Sequence, residues 1–273
     1  PQHVSDIIEA TKKTLNNEIV YFTGKRNESK IGLPKFIDSD ICTIQIASGC
    51  TNFCNFCESK LAKGSVKSQP EDKVIEEIRY YKNNGIKIFY LSSTDNGAYG
   101  LDINTNLINL LKKVLQVQGD FKIRIGMANP WHIKRMLNDL IEIYKNEKII
   151  KFLHIPLQSG SNKTLKGMKR THTVEDFIYI VNKFREEIQE IDIATDIIVG
   201  YPAEDEEDFQ QTLDLIKKIK PEVLNISKFS SRPGTKASKL KQLKSEIIDS
   251  RSKRLSELYN NYKLNKKELI QII

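Results

Sequence analysis

Long apolar runs are missing from this chain. No stretch of about 18 consecutive apolar residues occurs, so no membrane span and no membrane partner is expected. The opening "PQHVSDIIEATKK" lacks the basic-then-apolar pattern of a secretory signal. Histidine is scarce, and His3, His132, His154 and His172 stand at no zinc-like spacing. Cysteine is scarce too: four in 273 residues do not make a disulfide framework. Clustered thiols instead point to metal or redox chemistry in a cytoplasmic setting. Acidic residues are outnumbered, 35 against 43 Lys and Arg, for a formal charge of +8. That excess favours a polyanionic partner such as RNA.

What is present is an alternation of apolar, β-rich runs with helical patterns. Strands are expected over 41–48, 86–92, 121–128, 150–157, 193–200 and 222–229. Between them lie helical segments such as "PEDKVIEEIRYYKNNG", with Pro70 in its first turn and Gly85 past its end. Six βα-type units argue for a parallel sheet, and near-continuous apolar strands such as "DIIVG" suit a sheet covered by helices. Six units are too few for a closed eight-strand barrel, which leaves a doubly wound sheet or an open partial barrel. In both, chemistry belongs at the C-terminal strand ends. Residues 1–37 read as a linker or the remnant of a preceding domain, 38–241 as the central domain, and 242–273 as an amphipathic helix. On that helix Leu255, Leu258, Tyr259 and Tyr262 share one face, while Arg251, Lys253, Arg254, Lys263, Lys266 and Lys267 make it basic. Packing on the domain is its expected role, with RNA contact secondary.

Three of the four cysteines fall in "SGCTNFCNFCESK", directly after the first expected strand, as Cys50, Cys54 and Cys57. A structural zinc site wants four ligands. Cys42, eight residues before Cys50 and inside the strand, has a small buried thiol as its default reading. If it completes a four-thiolate zinc site, the chain is a metal-stabilised RNA-binding module without catalysis. Three thiolates alone suit a [4Fe–4S] cluster with one open iron. S-adenosylmethionine (SAM) would chelate that iron through its amino and carboxylate groups. One electron would then break a sulfonium C–S bond and release a 5′-deoxyadenosyl radical. Phe56, before the last cysteine, is placed to pack on adenine.

These motifs resemble the radical SAM superfamily and, more narrowly, its methylthiotransferases. The resemblance runs from about 38 to 241 through "GCTNFCNFC", "LSSTDNGAYGLD", "FLHIPLQSGSNKTLKGMKRTHTVEDF", "TDIIVGYPAEDEEDF" and "NISKFSSRPGTKA". "DNGAYGLD" and "MANP" are most similar to the archaeal and eukaryotic branch. That branch converts N6-threonylcarbamoyladenosine at tRNA position 37 to its 2-methylthio form. Neighbouring branches act on isopentenyl-adenosine in tRNA or on a ribosomal-protein aspartate.

The resemblance implies an open partial (βα)6 barrel of the radical SAM type. It assigns the cluster to Cys50, Cys54 and Cys57, and SAM to the strand ends. Around SAM, Thr94 and Asp95 would accept from the ammonium, beside turns at Gly97 and Gly100. Gln158 and Ser159 would reach ribose hydroxyls, with Ser161 capping the next helix. Arg170 would pair with the SAM carboxylate, and Ile198 and Val199 would form an apolar shelf for adenine. His154 reads as a core or supporting residue, "EDEEDF" as an acidic helix start, and Arg232 as a rim residue meeting tRNA phosphate. Expected partners are the anticodon stem-loop at adenosine 37 and an electron donor such as flavodoxin or ferredoxin. Members of the family carry a second [4Fe–4S] cluster on an N-terminal domain, and a small RNA-binding β-barrel at the other end. No cysteine precedes Cys42 here, so the chain reads as the central catalytic part of a longer protein.

Overall fold

The computed structural model describes residues 3, 5–24, 28, 37 and 40–270. Most of the polar stretch 22–36, within the segment read above as a linker or remnant, lies outside the described residues, as do the side chains of Lys266 and Lys267. Helix α1 (Ile7–Leu15) precedes that stretch and buries none of its residues. Then follow β1 (Ile41–Gln45), β2 (Ala47–Ser48), α2 (Ser59–Lys63), β3 (Lys67–Ser68), α3 (Glu71–Asn83), β4 (Ile88–Ser92), α4 (Leu107–Leu115), β5 (Lys122–Ile125), α5 (Pro130–Arg135) and α6 (Leu137–Lys145). The second half holds β6 (Phe152–His154), α7 (Asn162–Gly167), α8 (Val174–Glu187), β7 (Asp192–Val199), α9 (Glu206–Ile219), β8 (Val223–Lys228) and α10 (Ser245–Ile270).

The six expected strands are present, with one correction. The first is split at Ile46, and its second part, β2, turns away to pair antiparallel with β3. The rest form two parallel three-stranded sheets, β1-β4-β5 and β6-β7-β8. Main-chain bonds join them: Ile123 N donates to Lys148 O (2.7 Å), Ile150 N to Ile123 O (2.9 Å) and Ala128 N to His154 O (3.1 Å). The strands therefore lie side by side in chain order. A doubly wound sheet reverses its order part-way; this one never does, so the winding is that of a barrel. No pairing closes β8 onto β1 among the described residues. The fold is an open partial barrel.

Side chains alternate across each strand, and the two faces differ. Ile44, Phe89, Leu91, Ile123 and Leu153 are buried against α3, α4, α6 and α8 in one continuous core. Thr43, Tyr90, Arg124, His154, Asp196 and Asn225 occupy the other face and remain half-buried or exposed. On that face the Arg124 guanidinium lies over the rings of Phe152 (4.1 Å) and Tyr90 (4.9 Å). The run "DIIVG" therefore does not mean helices on both faces. Ile197 and Val199 join the core, while Ile198 faces the open side.

The acidic "EDEEDF" starts α9 as expected: Asp205 caps it, and Asp208 answers as the partner of a capping box. Helix α10 packs on the domain. Leu255 is fully buried, the Tyr259 hydroxyl donates to Glu222 O (3.1 Å), and that of Tyr262 to Pro221 O (3.1 Å). Two of its basic residues are engaged by α9 and the loop before it. Arg254 pairs with Glu206, and the buried Arg251 donates to the Glu204 carboxylate (2.8 Å) and carbonyl (3.1 Å). That carboxylate also accepts from Gly200 N (2.8 Å). No helix among the described residues is long and apolar enough to cross a membrane. Removing one partner of a buried pair leaves the other charge uncompensated. Arg251→Ala is therefore expected to lower unfolding stability by about 3–5 kcal/mol, measurable as a reduced urea midpoint.

Candidate functional site

The loop after β2 is built around Gly49. Its φ of +75° suits glycine, and a Cβ there would sit 2.0 Å from the Ser65 carbonyl oxygen. Cys50 N donates to Gly64 O (3.2 Å), and Lys60 Nζ donates to Cys50 O (2.5 Å). Cys57 N closes a turn onto Cys54 O (3.2 Å). Asn55 pins this turn: its N donates to Met168 O (3.0 Å), its Nδ2 to Gly167 O (2.7 Å), and its carbonyl accepts from Ala237 N (2.8 Å).

Each sulfur of the triplet receives an N–H. Cys50 Sγ accepts from Asn52 N (3.4 Å) and Nδ2 (3.6 Å), Cys54 Sγ from an Arg170 guanidinium nitrogen (3.6 Å), and Cys57 Sγ from Ser59 N (3.4 Å). Burial pushes the Cys50 thiol above its usual range, only partly offset by the Asn52 bonds. Cys42 is buried in β1, apart from this loop. No group of three or more His, Cys, Asp or Glu converges on one metal position among the described residues. A zinc site completed by Cys42 would need four sulfurs around one point, with Cys42 brought out of the core in which it is buried. An iron–sulfur cluster makes no such demand, because each thiolate takes a different iron. Three half-exposed thiols with donors already aimed at their sulfurs fit that group.

Behind the sulfurs runs a chain of hydrogen bonds. Asp95, 2% exposed after β4, is its centre. Its carboxylate accepts from Asn129 N (3.1 Å) and Nδ2 (2.6 Å), Gly97 N (3.1 Å) and Asn52 Nδ2 (3.4 Å). Asn129 Oδ1 accepts from Arg170 (2.6 Å), which also donates to Pro156 O (2.9 Å). Arg170 lies over the Trp131 ring (4.6 Å), and Trp131 stacks on His172 (5.8 Å between ring centres). The route from Cys50 through Asn52, Asp95, Asn129 and Arg170 returns to Cys54.

This changes several expected roles. Asp95 spends its lone pairs on the protein's own donors and organises the loops. Thr94 beside it has a buried hydroxyl with no hydrogen bond among the described residues. Ser159 is fully buried and accepts from Ser161 N (3.2 Å), so it builds a turn instead of reaching the rim. Ser161 caps α7 as expected, accepting from Thr164 N. Gln158 holds a φ of +78° and joins β7 through Ile198 N to Gln158 O (3.0 Å). Phe56 and Ile198 do come together. Both line a cleft of about 250 Å³ with Cys57, Phe229 and Arg232, over a small cluster of Met168, Tyr201 and Phe229. Val199 lies in the main core, so the shelf is Ile198 alone. His154 is paired with Asp196 (3.0 Å) on the open face. Burial raises the Asp196 carboxyl, but His154 and Asn225 outweigh it and hold the group below its usual range. A larger hollow of about 600 Å³ lies between α7, α8 and α9, on the helix side away from the thiols.

Asn52, Asn129 and Trp131 were not singled out in the sequence. Pro130 at the start of α5 marks a helix start there, but no local signal ties Asn129 to Asp95.

The profile of the radical SAM superfamily matches residues 44–216. The chain belongs to this superfamily. Among curated relatives, a "Probable threonylcarbamoyladenosine tRNA methylthiotransferase" of Pyrococcus horikoshii is 44% identical over 246 residues, 89% of this chain and 58% of that protein. The human "Threonylcarbamoyladenosine tRNA methylthiotransferase" is 35% identical over 270 residues, 96% of this chain and 47% of that protein. This radical SAM chain thus spans roughly half to two thirds of the relatives it matches. Solved structures share its fold. The radical S-adenosylmethionine methyltransferase TsrM of Kitasatospora setae superposes with a TM-score of 0.61 at 17% identity, over 77% of this chain and 42% of that one. Coproporphyrinogen III oxidase (HemN) of Escherichia coli gives 0.55 at 18%, over 79% and 52%. The open partial barrel is that of this superfamily.

Asp95→Ala strips a shared acceptor from Asn52, Gly97 and Asn129, so a loss of roughly 2–5 kcal/mol in unfolding stability is expected by urea titration. His172 supplies a pH dependence. Burial first, then the Arg170 charge, push its pKa down to about 3 from 6.5. Below the ordinary value the unfolded chain takes up a proton that the folded chain refuses. Stability should therefore fall as pH drops from about 6.5 toward 3, and His172→Phe should flatten that window in urea midpoints taken across it.

Proposed function

We propose that this chain is the radical SAM domain of a tRNA methylthiotransferase that acts on N6-threonylcarbamoyladenosine at position 37, in the cytoplasm. The observation that carries the reading is the thiol triplet, each sulfur met by an N–H, at the C-terminal strand ends beside the Phe56–Ile198 cleft. The names of the long-matching relatives supply the substrate class.

In this reading Cys50, Cys54 and Cys57 hold a [4Fe–4S] cluster with one open iron, where SAM binds. When bound, that pair supplies a 5′-deoxyadenosyl radical on one-electron reduction. The chain's own residues prepare the place. Asn52, Arg170 and Ser59 N–H groups stabilise negative charge on the sulfurs. Asp95 and Asn129 hold Arg170 against Cys54. Phe56 and Ile198 would offer apolar surface to adenine, and the Gln158 amide would supply hydrogen bonds for the ribose. The polar open face, with Arg124 and the His154–Asp196 pair, receives the nucleoside. Delivery of sulfur needs a second cluster, and the three thiols after Cys42 are committed to the first. The donor is therefore supplied from outside these 273 residues. A flavodoxin or ferredoxin provides the electron.

Anaerobic reconstitution with iron and sulfide should load about four irons per chain, and SAM plus reductant should then yield 5′-deoxyadenosine. Both should be lost in Cys54→Ala. A colourless, zinc-loaded protein that never cleaves SAM would sink the reading.

A further inference from the structure

The loop that carries the thiols also carries an exposed aromatic ring. Phe53, between Cys50 and Cys54, is 62% exposed. Two ammonium groups flank it: Lys60 Nζ lies 4.8 Å and Lys169 Nζ 5.5 Å from the ring centre. The patch continues through Leu61, itself 54% exposed and seated against Gly234, to Arg232 at the mouth of the Phe56 cleft. None of Lys60, Lys169 and Arg232 is in an ion pair with a carboxylate among the described residues. Some lysines elsewhere are neutralised, as Lys134 is by Asp176 and Lys163 by Asp205 and Asp208, and others such as Lys82 and Lys148 donate to backbone carbonyls; Lys60, Lys169 and Arg232 stand together. Uncompensated charge is thus gathered around an open ring at the edge of the thiol site.

We propose that this patch is where the RNA loop docks, with Phe53 stacking on an unpaired base and Lys60, Lys169 and Arg232 meeting backbone phosphates. Phosphate alone would call for the cations but not for an exposed phenyl ring. A duplex buries its base faces, whereas an unpaired loop presents them. Aromatic rings set in cationic grooves are the general means of holding single strands. A base held on this ring would lie beside the Phe56 cleft assigned above to SAM, at the rim of the open face that receives the reacting nucleoside. The inference rests on the RNA substrate proposed above and locates its contact surface.

The test is binding of the iron-loaded chain to a synthetic anticodon stem-loop carrying threonylcarbamoyladenosine, followed by fluorescence anisotropy across a salt series. Iron content confirms that each variant retains its cluster. Phe53→Ala should weaken binding roughly 5- to 100-fold with the salt slope unchanged, because stacking releases no counterions. Phe53→Trp should restore the affinity. Lys169→Ala should reduce the slope of log affinity against log salt by about 0.7, the single-strand value for one phosphate contact. Binding within twofold of the parent in both alanine variants would overturn the proposal. So would failure of the parent to bind, or variants that lose only an acidic electron-donor protein. SAM cleavage by the parent, followed separately, decides whether the radical SAM reading fails with it.

Discussion

One buried carboxylate holds the catalytic edge together. Four of the segments beyond the strand ends meet here, and only scattered main-chain bonds such as Asn96 N to Met127 O (2.9 Å) join them. Asp95 takes donors from three of them, through Gly97, Asn129 and Asn52, and Asn129 passes the connection to Arg170 in the fourth. A carboxylate accepts several hydrogen bonds at once, and at 2% exposure water does not compete for them. The two outer members of the chain, Asn52 and Arg170, donate to the sulfurs of Cys50 and Cys54. The side chains that donate to Cys50 and Cys54 are therefore held by one anion, while Cys57 takes Ser59 N and the turn itself is pinned through Asn55.

The barrel's openness has a related logic. Its strands bury one face beneath helices and leave the other polar. A closed barrel of this size fills its interior with side chains. Here Arg124, His154, Asp196 and Asn225 would be costly in such an interior, and they stay half-buried or exposed because the ring is incomplete. Arg124 lies between two aromatic rings, and His154 is paired with Asp196. Among the described residues no strand pairing closes the ring, and the inner face stays polar and open.

The C-terminal helix reaches the same region. Arg251 holds Glu204, whose carboxylate takes Gly200 N, and the next residue, Tyr201, packs edge-on against Phe229 and donates to Gly167 O (2.7 Å). Gly167 O also takes Asn55 of the cysteine turn (2.7 Å). The helix expected to pack on the domain is therefore also connected, contact by contact, to the loop carrying the thiols.

By itself the sequence determined the repeating βα order, the six strands and the triplet with its odd ligand count. These depend on local period and on neighbours a few residues apart. The caps at Ser161 and Asp205 were legible for the same reason. Phe56, singled out beside the last cysteine, and Ile198 and Arg170, singled out by the family motifs, lie near the thiols in the fold. Tertiary structure alone decided which polar residues face inward. Asp95 and Ser159 look like rim groups in one dimension, yet their partners lie on other loops or turn them inward. Arg251 was read as surface charge because its partner, Glu204, is 47 residues away. Strand alternation separated Ile198 from Val199, and only the helix-covered side of the sheet decides which one is core. Likewise, the exposure of Phe53 between two lysines follows from Lys169 arriving from a distant turn. Local pattern specifies elements; the energy of bringing distant donors, acceptors and charges together is what assigns their roles.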